Sequence, residues 1–152
     1  MKCFSFIGYS NSGKTTLIIE IAKILRNMNY KIAIIKHSDH SIKKNDFKDT
    51  SRILNTGIDS VSFLGKDGFI NYHIENNYDI SKLLLYYKDM DFVLIEGGKN
   101  IKGIKKIWVG NVDDDINREE IVAVVKGENT KWEIPLFDIK DVSKLVSYLL
   151  SL

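Results

Sequence analysis

One stretch near the amino terminus constrains the fold of this 152-residue chain more than any other. It fits the pattern G-x-x-x-x-G-K-[ST] of a phosphate-binding loop, which requires a strand before it and a helix after it. Apolar Phe4, Phe6 and Ile7 precede the stretch as a predicted buried strand, and a helical pattern follows it. The stretch consists of Gly8, Tyr9, Ser10, Asn11, Ser12, Gly13, Lys14, Thr15 and Thr16. This context favours a nucleotide-binding loop over the alternative, a glycine-rich turn with a solvated lysine.

The residue types in this loop suit the phosphates of a nucleotide. Gly8 and Gly13 allow backbone conformations that a Cβ atom would obstruct, so the N–H groups between them can point inward at an anion. The positive end of the following helix dipole adds to this attraction. We expect Lys14 to reach the β- and γ-phosphates, Thr15 to place its hydroxyl on Mg²⁺, and Thr16 to support the α-phosphate.

The hydrophobic pattern beyond the loop predicts the fold class. Residues 14–28 form a predicted amphipathic helix. Residues 31–36, a short run rich in β-branched isoleucine, form a second predicted strand, expected to be buried on both faces. Strand, helix and strand at this spacing imply a parallel sheet with a right-handed crossover. The sequence therefore predicts an α/β protein, namely a three-layer P-loop NTPase with a mostly parallel sheet flanked by helices and a β-hairpin insertion.

Further elements follow from turn and cap signals. Residues 60–64 and 69–75 form a predicted hairpin around the turn at 65–68, which contains an Asp-Gly pair. Gly57 is expected to end a short helix over residues 50–55, and Asp79 to cap a helix that runs to about Lys88. Asp138 is expected to cap the terminal helix. The remaining predicted strands are 92–95, 107–109, 121–125 and 132–137.

Composition limits the classes of partner and the number of domains. Residues 1–152 are most simply a single domain, with 44% hydrophobic and 28% charged residues. The net charge of +2 favours neither nucleic acid nor a membrane surface as a partner, and no apolar run approaches membrane-spanning length. Cys3 is the single cysteine, which fits a reducing compartment. A cytoplasmic location is therefore expected.

Glu96 is the main candidate for a metal or hydrolytic role outside the loop. It directly follows the predicted strand 92–95, and open α/β sheets place their ligands beyond the carboxyl ends of the strands. A carboxylate there either holds Mg²⁺ or its water, or orients the attacking water. The alternative is a charge that faces solvent at the end of a strand.

Polar residues after the second predicted strand provide further candidates. Asp49 is either a second Mg²⁺-linked carboxylate or an acid favoured by the amino-terminal end of a helix dipole. Arg52, one helical turn further on, could contact phosphate. His37 and His40 are expected to contact phosphate or neighbouring loops, since the further ligands of a structural zinc site are missing.

Four lysines follow Glu96 closely, and they are Lys99, Lys102, Lys105 and Lys106. The cluster is either a solvated face or an anion-binding surface, and the two interpretations are equally compatible with the sequence.

Together these segments resemble the molybdopterin-guanine dinucleotide biosynthesis protein B (MobB) family. The resemblance includes the loop at 8–16, Lys36-His37 with His40, the segment 48–50 with Arg52 and Gly57, and the segment 96–99 with Lys106-Ile107 downstream. It covers most of the chain. The phosphate loop alone is generic, whereas the Lys-His-x-x-His segment joined to a strand that ends in Glu-Gly-x-Lys is far more specific.

The resemblance implies a P-loop NTPase of the SIMIBI type that binds GTP with Mg²⁺ and hydrolyses it slowly. It implies an adapter in molybdenum-cofactor maturation that acts with the guanylyltransferase MobA and contacts the molybdopterin cofactor. A homodimer is implied, with the hairpin contributing to its interface. By matched position, Glu96 and Asp49 carry metal or hydrolytic roles. The residues implied to line the cofactor-facing side are His37, His40, Arg52 and Lys99.

The sequence also departs from the family pattern. Gly98 stands where the family usually has a bulky residue, and the proline expected near Lys105 is absent. The segment 130–133 (Thr-Lys-Trp-Glu) imitates a guanine-reading T-K-x-D motif but carries Glu for Asp, so guanine specificity rests on the resemblance alone. Two other functions therefore stay open: a small-molecule kinase that uses the same phosphate loop, and a non-catalytic nucleotide-gated binding module.

Overall fold

The computed structural model describes residues 1–38, 53, 56–73, 79–112, 118–127 and 133–152. Their strands are β1 (Lys2–Ile7), β2 (Ile32–Lys36), β3 (Ser60–Leu64), β4 (Phe69–His73), β5 (Phe92–Glu96), β6 (Lys105–Val109), β7 (Ile121–Val125) and β8 (Leu136–Phe137). Their helices are α1 (Lys14–Asn27), α2 (Ile80–Tyr86) and α3 (Val142–Ser151).

The chain divides into two compact units. The first unit contains residues 1–38 and 83–152, and the second contains residues 39–82. In the first unit the described strands form a six-stranded sheet in the order β2-β5-β1-β6-β7-β8. Every neighbouring pair in this sheet is parallel, so all carboxyl ends lie along one edge. The predicted α/β class, with its mostly parallel sheet, flanking helices and hairpin, is confirmed.

Alternation along the strands explains where the main core lies. Helices α1 and α3 cover one face of the sheet, where their apolar stripes meet strand residues that point the same way. The fully buried members of this core include Phe4, Phe6, Leu17, Ile21, Leu94, Leu145 and Leu149. A smaller cluster of Ile7, Trp108, Ile121 and Val124 forms separately. The core thus fixes α1, and with it the loop that precedes α1, against the centre of the sheet.

The second unit contains the predicted hairpin. Strands β3 and β4 pair antiparallel, with Leu64 opposite Phe69, and the Gly65 amide donates to the Gly68 carbonyl at 2.8 Å. Leu64, Phe69 and Ile70 are exposed apolar residues on this hairpin. The predicted strand end at residues 74 and 75 and the predicted helix at 50–55 extend beyond the described residues.

Helix α2 begins as predicted after Asp79. The Asp79 Oδ1 atom accepts a hydrogen bond from the Ser81 amide at 3.0 Å, as an N-cap residue does. Hydrogen bonds from Ser81 also hold the pKa of the Asp79 carboxyl below its usual value. Leu83, Leu84 and Tyr87 are half-buried, whereas Leu85 is 71% exposed.

Three details differ from the sequence prediction. Strand β2 lies at an edge of the sheet and Ile34 is 47% exposed, so the expectation that β2 is buried on both faces is wrong. Strand β8 has only the two residues Leu136 and Phe137 among those described. Asp138 instead forms a turn with the Lys140 amide at 2.8 Å, and Asp141 occupies the N-cap position of α3.

Among the residues described, no helix is long and apolar enough to cross a membrane. Cys3 is half-buried in β1, and burial raises the pKa of its thiol to about 11. The thiol is therefore neutral at physiological pH, which agrees with a small apolar role in packing.

Candidate nucleotide-binding site

The loop between β1 and α1 turns sharply through residues with positive φ. Gly8 has φ 142°, Asn11 has φ 61° and Gly13 has φ 97°. A Cβ atom on Gly8 would lie 2.3 Å from the Val109 carbonyl oxygen at the end of β6. Only glycine therefore allows the loop to lie this close to the neighbouring strand.

The Lys14 side chain folds back over the loop between β1 and α1. Its ammonium donates to the Gly8 carbonyl oxygen at 3.0 Å, to the Tyr9 carbonyl oxygen at 2.5 Å and to the Ser12 hydroxyl at 3.3 Å. Gly13 is the N-cap of α1 and provides no side chain to the first-turn amides, and no acidic residue lies in that turn. The loop thus combines a helix amino terminus with an ammonium group, which is a site suited to an anion.

Thr15 and Glu96 meet beside the loop. The Thr15 hydroxyl donates to the Glu96 Oε1 atom at 2.8 Å, and the Glu96 side chain is only 17% exposed. The same Oε1 atom lies 3.8 Å from the Lys36 ammonium at the end of β2. Two residues that the sequence assigned to Mg²⁺ are therefore neighbours in the folded chain.

The chemistry of this pair fits Mg²⁺. A hydroxyl oxygen and a carboxylate oxygen are the hard ligands that this ion prefers. In this structure the two oxygens lie 2.8 Å apart and share a hydrogen bond, so both could contact one ion with only a small movement.

The turn after Glu96 is held by hydrogen bonds to the ends of β1 and β2, the two strands that flank β5. The Gly97 amide donates to the Phe6 carbonyl at 2.9 Å, and the Gly97 carbonyl accepts a hydrogen bond from the Ser5 hydroxyl at 2.6 Å. The His37 amide donates to the Glu96 carbonyl at 2.9 Å. Gly97 has φ 87°, and a Cβ atom there would lie 2.6 Å from the His37 carbonyl oxygen. These contacts hold the Glu96 backbone in place and leave its carboxylate directed at Thr15.

The other candidate residues divide into two groups. His37 and Lys99 are exposed at the carboxyl edge of the sheet, His37 just after β2 and Lys99 in the turn after Gly98. His40, Asp49 and Arg52 lie outside the described residues, so their roles stay predictions. Within the described part of the chain, no group of three or more His, Cys, Asp and Glu side chains is arranged to hold a metal ion.

Tyr9 occupies the opposite flank of the loop. Its ring makes an edge contact with Trp108, with the ring centroids 5.9 Å apart, and it is 57% exposed. The Trp108 indole donates to the Asn111 carbonyl at 2.9 Å. Of the segment 130–133, which imitates a guanine-reading motif, residues 130–132 are outside the described residues.

The four lysines after Glu96 do not form one surface. Lys106 is 6% exposed and donates to the Ile101 carbonyl at 2.6 Å and to the Glu120 carboxylate. Lys105, its neighbour on β6, points the other way and donates to the Leu152 carbonyl at 3.0 Å. Lys99 and Lys102 are exposed. The predicted anion-binding cluster therefore excludes Lys106, which is a buried structural residue.

Sequence reasoning missed roles for Lys36 and Ser5. Lys36 belonged to the Lys-His-x-x-His segment but had no assigned contact, because its proximity to Glu96 depends on β2 and β5 being neighbours. Ser5 is fully buried among apolar residues of β1. A single polar residue in the middle of an apolar strand was the available signal, since a buried hydroxyl requires a hydrogen-bond partner.

The fold and this loop define the class of protein. The P-loop NTPase fold has a parallel sheet with a phosphate loop after a central strand. This chain has that sheet and loop, a helix that begins at the loop lysine, and an acid at the end of the adjacent strand. A family model described as Molybdopterin guanine dinucleotide synthesis protein B (MobB) matches residues 3–127. The chain belongs to the MobB family.

Two curated proteins are similar to this chain in sequence, and a solved structure is similar to it in fold. A Methanocaldococcus jannaschii protein described as a molybdopterin-guanine dinucleotide biosynthesis adapter protein is 36% identical, over 96% of this chain and 61% of its own length. The chain thus spans about three-fifths of that relative. A Bacillus subtilis protein with the same description is 27% identical over 89% of this chain and 84% of its own length. The crystal structure of Bacillus subtilis MobB superposes with a TM-score of 0.81 at 22% identity, covering 99% of this chain and 97% of that one.

Proposed function

We propose that this protein is a GTP-binding accessory protein of molybdopterin guanine dinucleotide synthesis. In this role it hydrolyses GTP slowly and acts as an adapter to a molybdopterin guanylyltransferase, in the cytoplasm and as a homodimer. The observation that carries the proposal is the contact of Thr15 with Glu96 beside the phosphate loop, in a chain whose family is MobB. The descriptions of the two relatives as adapter proteins support the same role.

The residues of the site have distinct roles in this proposal. The loop amides and the Lys14 ammonium bind the β- and γ-phosphates, so Lys14 exchanges its contacts with the Gly8 and Tyr9 carbonyls for phosphate oxygens. Thr15 and Glu96 would hold Mg²⁺, with Asp49 as a further carboxylate. When bound, the ion would neutralise charge on the phosphate oxygens.

Hydrolysis is slow in this proposal because few side chains are available to orient the attacking water. Glu96 either holds the metal or orients a water molecule for attack on the γ-phosphate. His37, His40, Arg52 and Lys99 face the molybdopterin cofactor or the guanylyltransferase. Their exposed positions, known for His37 and Lys99, suit contact with a partner.

Calorimetry with GTP, ATP and GDP, each with and without Mg²⁺, tests the proposal. We expect GTP to bind in the presence of Mg²⁺ more tightly than ATP. Absence of nucleotide binding would refute the proposed function, and a preference for ATP would refute its guanine part. Rapid phosphate transfer to a small alcohol or acid, without release of free phosphate, would identify a kinase instead.

A further inference from the structure

Lys36 occupies a position at the site that the roles above do not explain. It is the last residue of β2, and its Cα pairs in register with that of Glu96 on β5. Register partners in a parallel pair direct their side chains to the same face of the sheet. Lys36 and Glu96 therefore share the face on which Thr15 contacts Glu96.

The contact between Lys36 and Glu96 is electrostatic and loose. The Lys36 Nζ atom lies 3.8 Å from Glu96 Oε1, which is longer than a hydrogen bond, and the Lys36 side chain is 72% exposed. The ammonium donors are thus not committed to Glu96. Thr15 donates to the same Oε1 atom at 2.8 Å, so the ammonium lies within one side-chain movement of the metal-binding position.

A contribution to folding stability does not explain why a lysine lies beside Glu96. Exposed ion pairs contribute little to folding, because water screens them and two long side chains must be ordered. Mg²⁺ at Thr15 and Glu96 would also compete with Lys36 for the carboxylate, since both are cations. A lysine displaced in this way keeps its charge beside the ion, and a phosphate oxygen is the natural new partner for an ammonium group.

We propose that Lys36 binds the terminal phosphate of the bound triphosphate and makes the site discriminate triphosphate from diphosphate. In this inference Lys36 exchanges its loose contact with Glu96 for an oxygen of the γ-phosphate, to which its ammonium donates. Lys14 acts from the loop side and Lys36 from the edge of the sheet, so the terminal phosphate lies between two ammonium groups. This inference rests on the proposed function, because it requires the phosphate loop to bind a nucleotide.

Calorimetry on Lys36→Met tests the inference, with Mg²⁺ and either GDP or the non-hydrolysable triphosphate GMPPNP. We expect the variant to bind GMPPNP about tenfold more weakly, the loss of one charge-assisted hydrogen bond, and GDP within about twofold of the parent. Lys36→Arg keeps the charge and is expected to retain most of the preference for triphosphate. Lys31→Met is the matched control, since Lys31 directly precedes β2 at its other end, about 16 Å away.

Equal weakening of GMPPNP and GDP would overturn the inference, because it would mark Lys36 as a static counter-ion of the metal site. An unchanged preference in Lys36→Met would overturn it as well. A parent protein that binds no nucleotide would instead remove the proposed function and this inference with it. If the parent prefers adenine, the same comparison uses AMPPNP and ADP, so a failure of guanine specificity leaves this test decisive.

Discussion

At the scale of single residues, the charged side chains of the site are positioned by backbone that other residues hold in place. Lys14 spans a loop that Gly8 allows to approach Val109, and Glu96 precedes a turn that Ser5 and Gly97 hold in place. The charged groups can therefore be changed without loss of the backbone arrangement. Substitutions at Lys14 and Glu96 test chemistry rather than folding.

Lys14→Ala is expected to abolish measurable binding of the Mg²⁺-nucleotide and to leave the fold intact. Hydrogen bonds to charged groups contribute about 1.5–3 kcal/mol each, so loss of the bonds from this ammonium to two phosphates predicts a dissociation constant more than about a hundredfold higher. Calorimetry gives the affinity, and a thermal melt checks that the variant folds. An affinity equal to that of the parent would refute the assignment of this loop.

Glu96→Gln keeps the size of the side chain and an acceptor for the Thr15 hydroxyl but removes the charge. We expect GTP turnover or Mg²⁺ affinity to fall about tenfold or more, with little change in melting temperature. Phosphate release measured at increasing Mg²⁺ concentration separates the two effects. Glu20→Gln is the matched control, because Glu20 pairs with Lys23 on the exposed side of α1. Equal turnover by the Glu96 variant and the parent would contradict its role.

At the scale of elements, local patterns predicted most helices and strands, whereas the order of the strands was beyond them. The phosphate loop and α1 were predicted because strand, glycine and helix signals are adjacent in sequence. The exposed edge position of β2 depends on which strands flank it, and no local pattern encodes that. The contact between Lys36 and Glu96 was missed for the same reason, since it requires β2 to lie beside β5.

Other errors arose where two residues of one type compete for one role. Asp138 and Asp141 are both suitable caps for α3, and only the course of the chain after β8 decides between them. Lys105 and Lys106 are equally charged, but strand alternation directs one to the surface and the other to the interior. The sequence showed the charges without showing which one Glu120 would pair with.

The contact between Lys106 and Glu120 makes the stability of the loop after Glu96 depend on pH. Hydrogen bonds from Lys106 and from the Gly103 amide hold the pKa of Glu120 below its usual value of 4.5. The ionised carboxylate therefore stabilises the fold above that pH, and this stabilisation is lost as the pH falls through the lowered pKa. We expect Glu120→Gln to lower the melting temperature at pH 7 and to differ less from the parent as the pH falls below 4.5.

Thermal melts of the parent and Glu120→Gln at several pH values between 7 and 3 measure this convergence. The protonated Glu120 side chain and the glutamine that replaces it are both neutral, so the two proteins should approach each other in stability at the acid end. A difference in melting temperature that is the same at pH 7 and pH 3 would show that charge at Glu120 does not stabilise the loop.

At the scale of the whole molecule, the part of the chain that the family model matches does not contain the complete core. The family match ends at residue 127, yet α3 covers the same face of the sheet as α1. Leu145, Val146 and Leu149 are each at most 2% exposed in that core. Without α3, the apolar side chains of α1 and the sheet that it contacts would face water.

We therefore expect a chain ended after Asp141 to lose cooperative folding. Burial of each of the three side chains contributes about 2 kcal/mol, and together they approach the total stability of a small domain, about 5–15 kcal/mol. Circular dichroism during heating should show a sharp transition for the parent and none for the shortened chain. Ser147→Ala is the control, since Ser147 lies on the exposed side of α3. This variant should have a melting temperature within about 5 °C of that of the parent. A sharp transition near the parent's temperature in the shortened chain would mean that the phosphate loop is supported by the sheet and α1 alone.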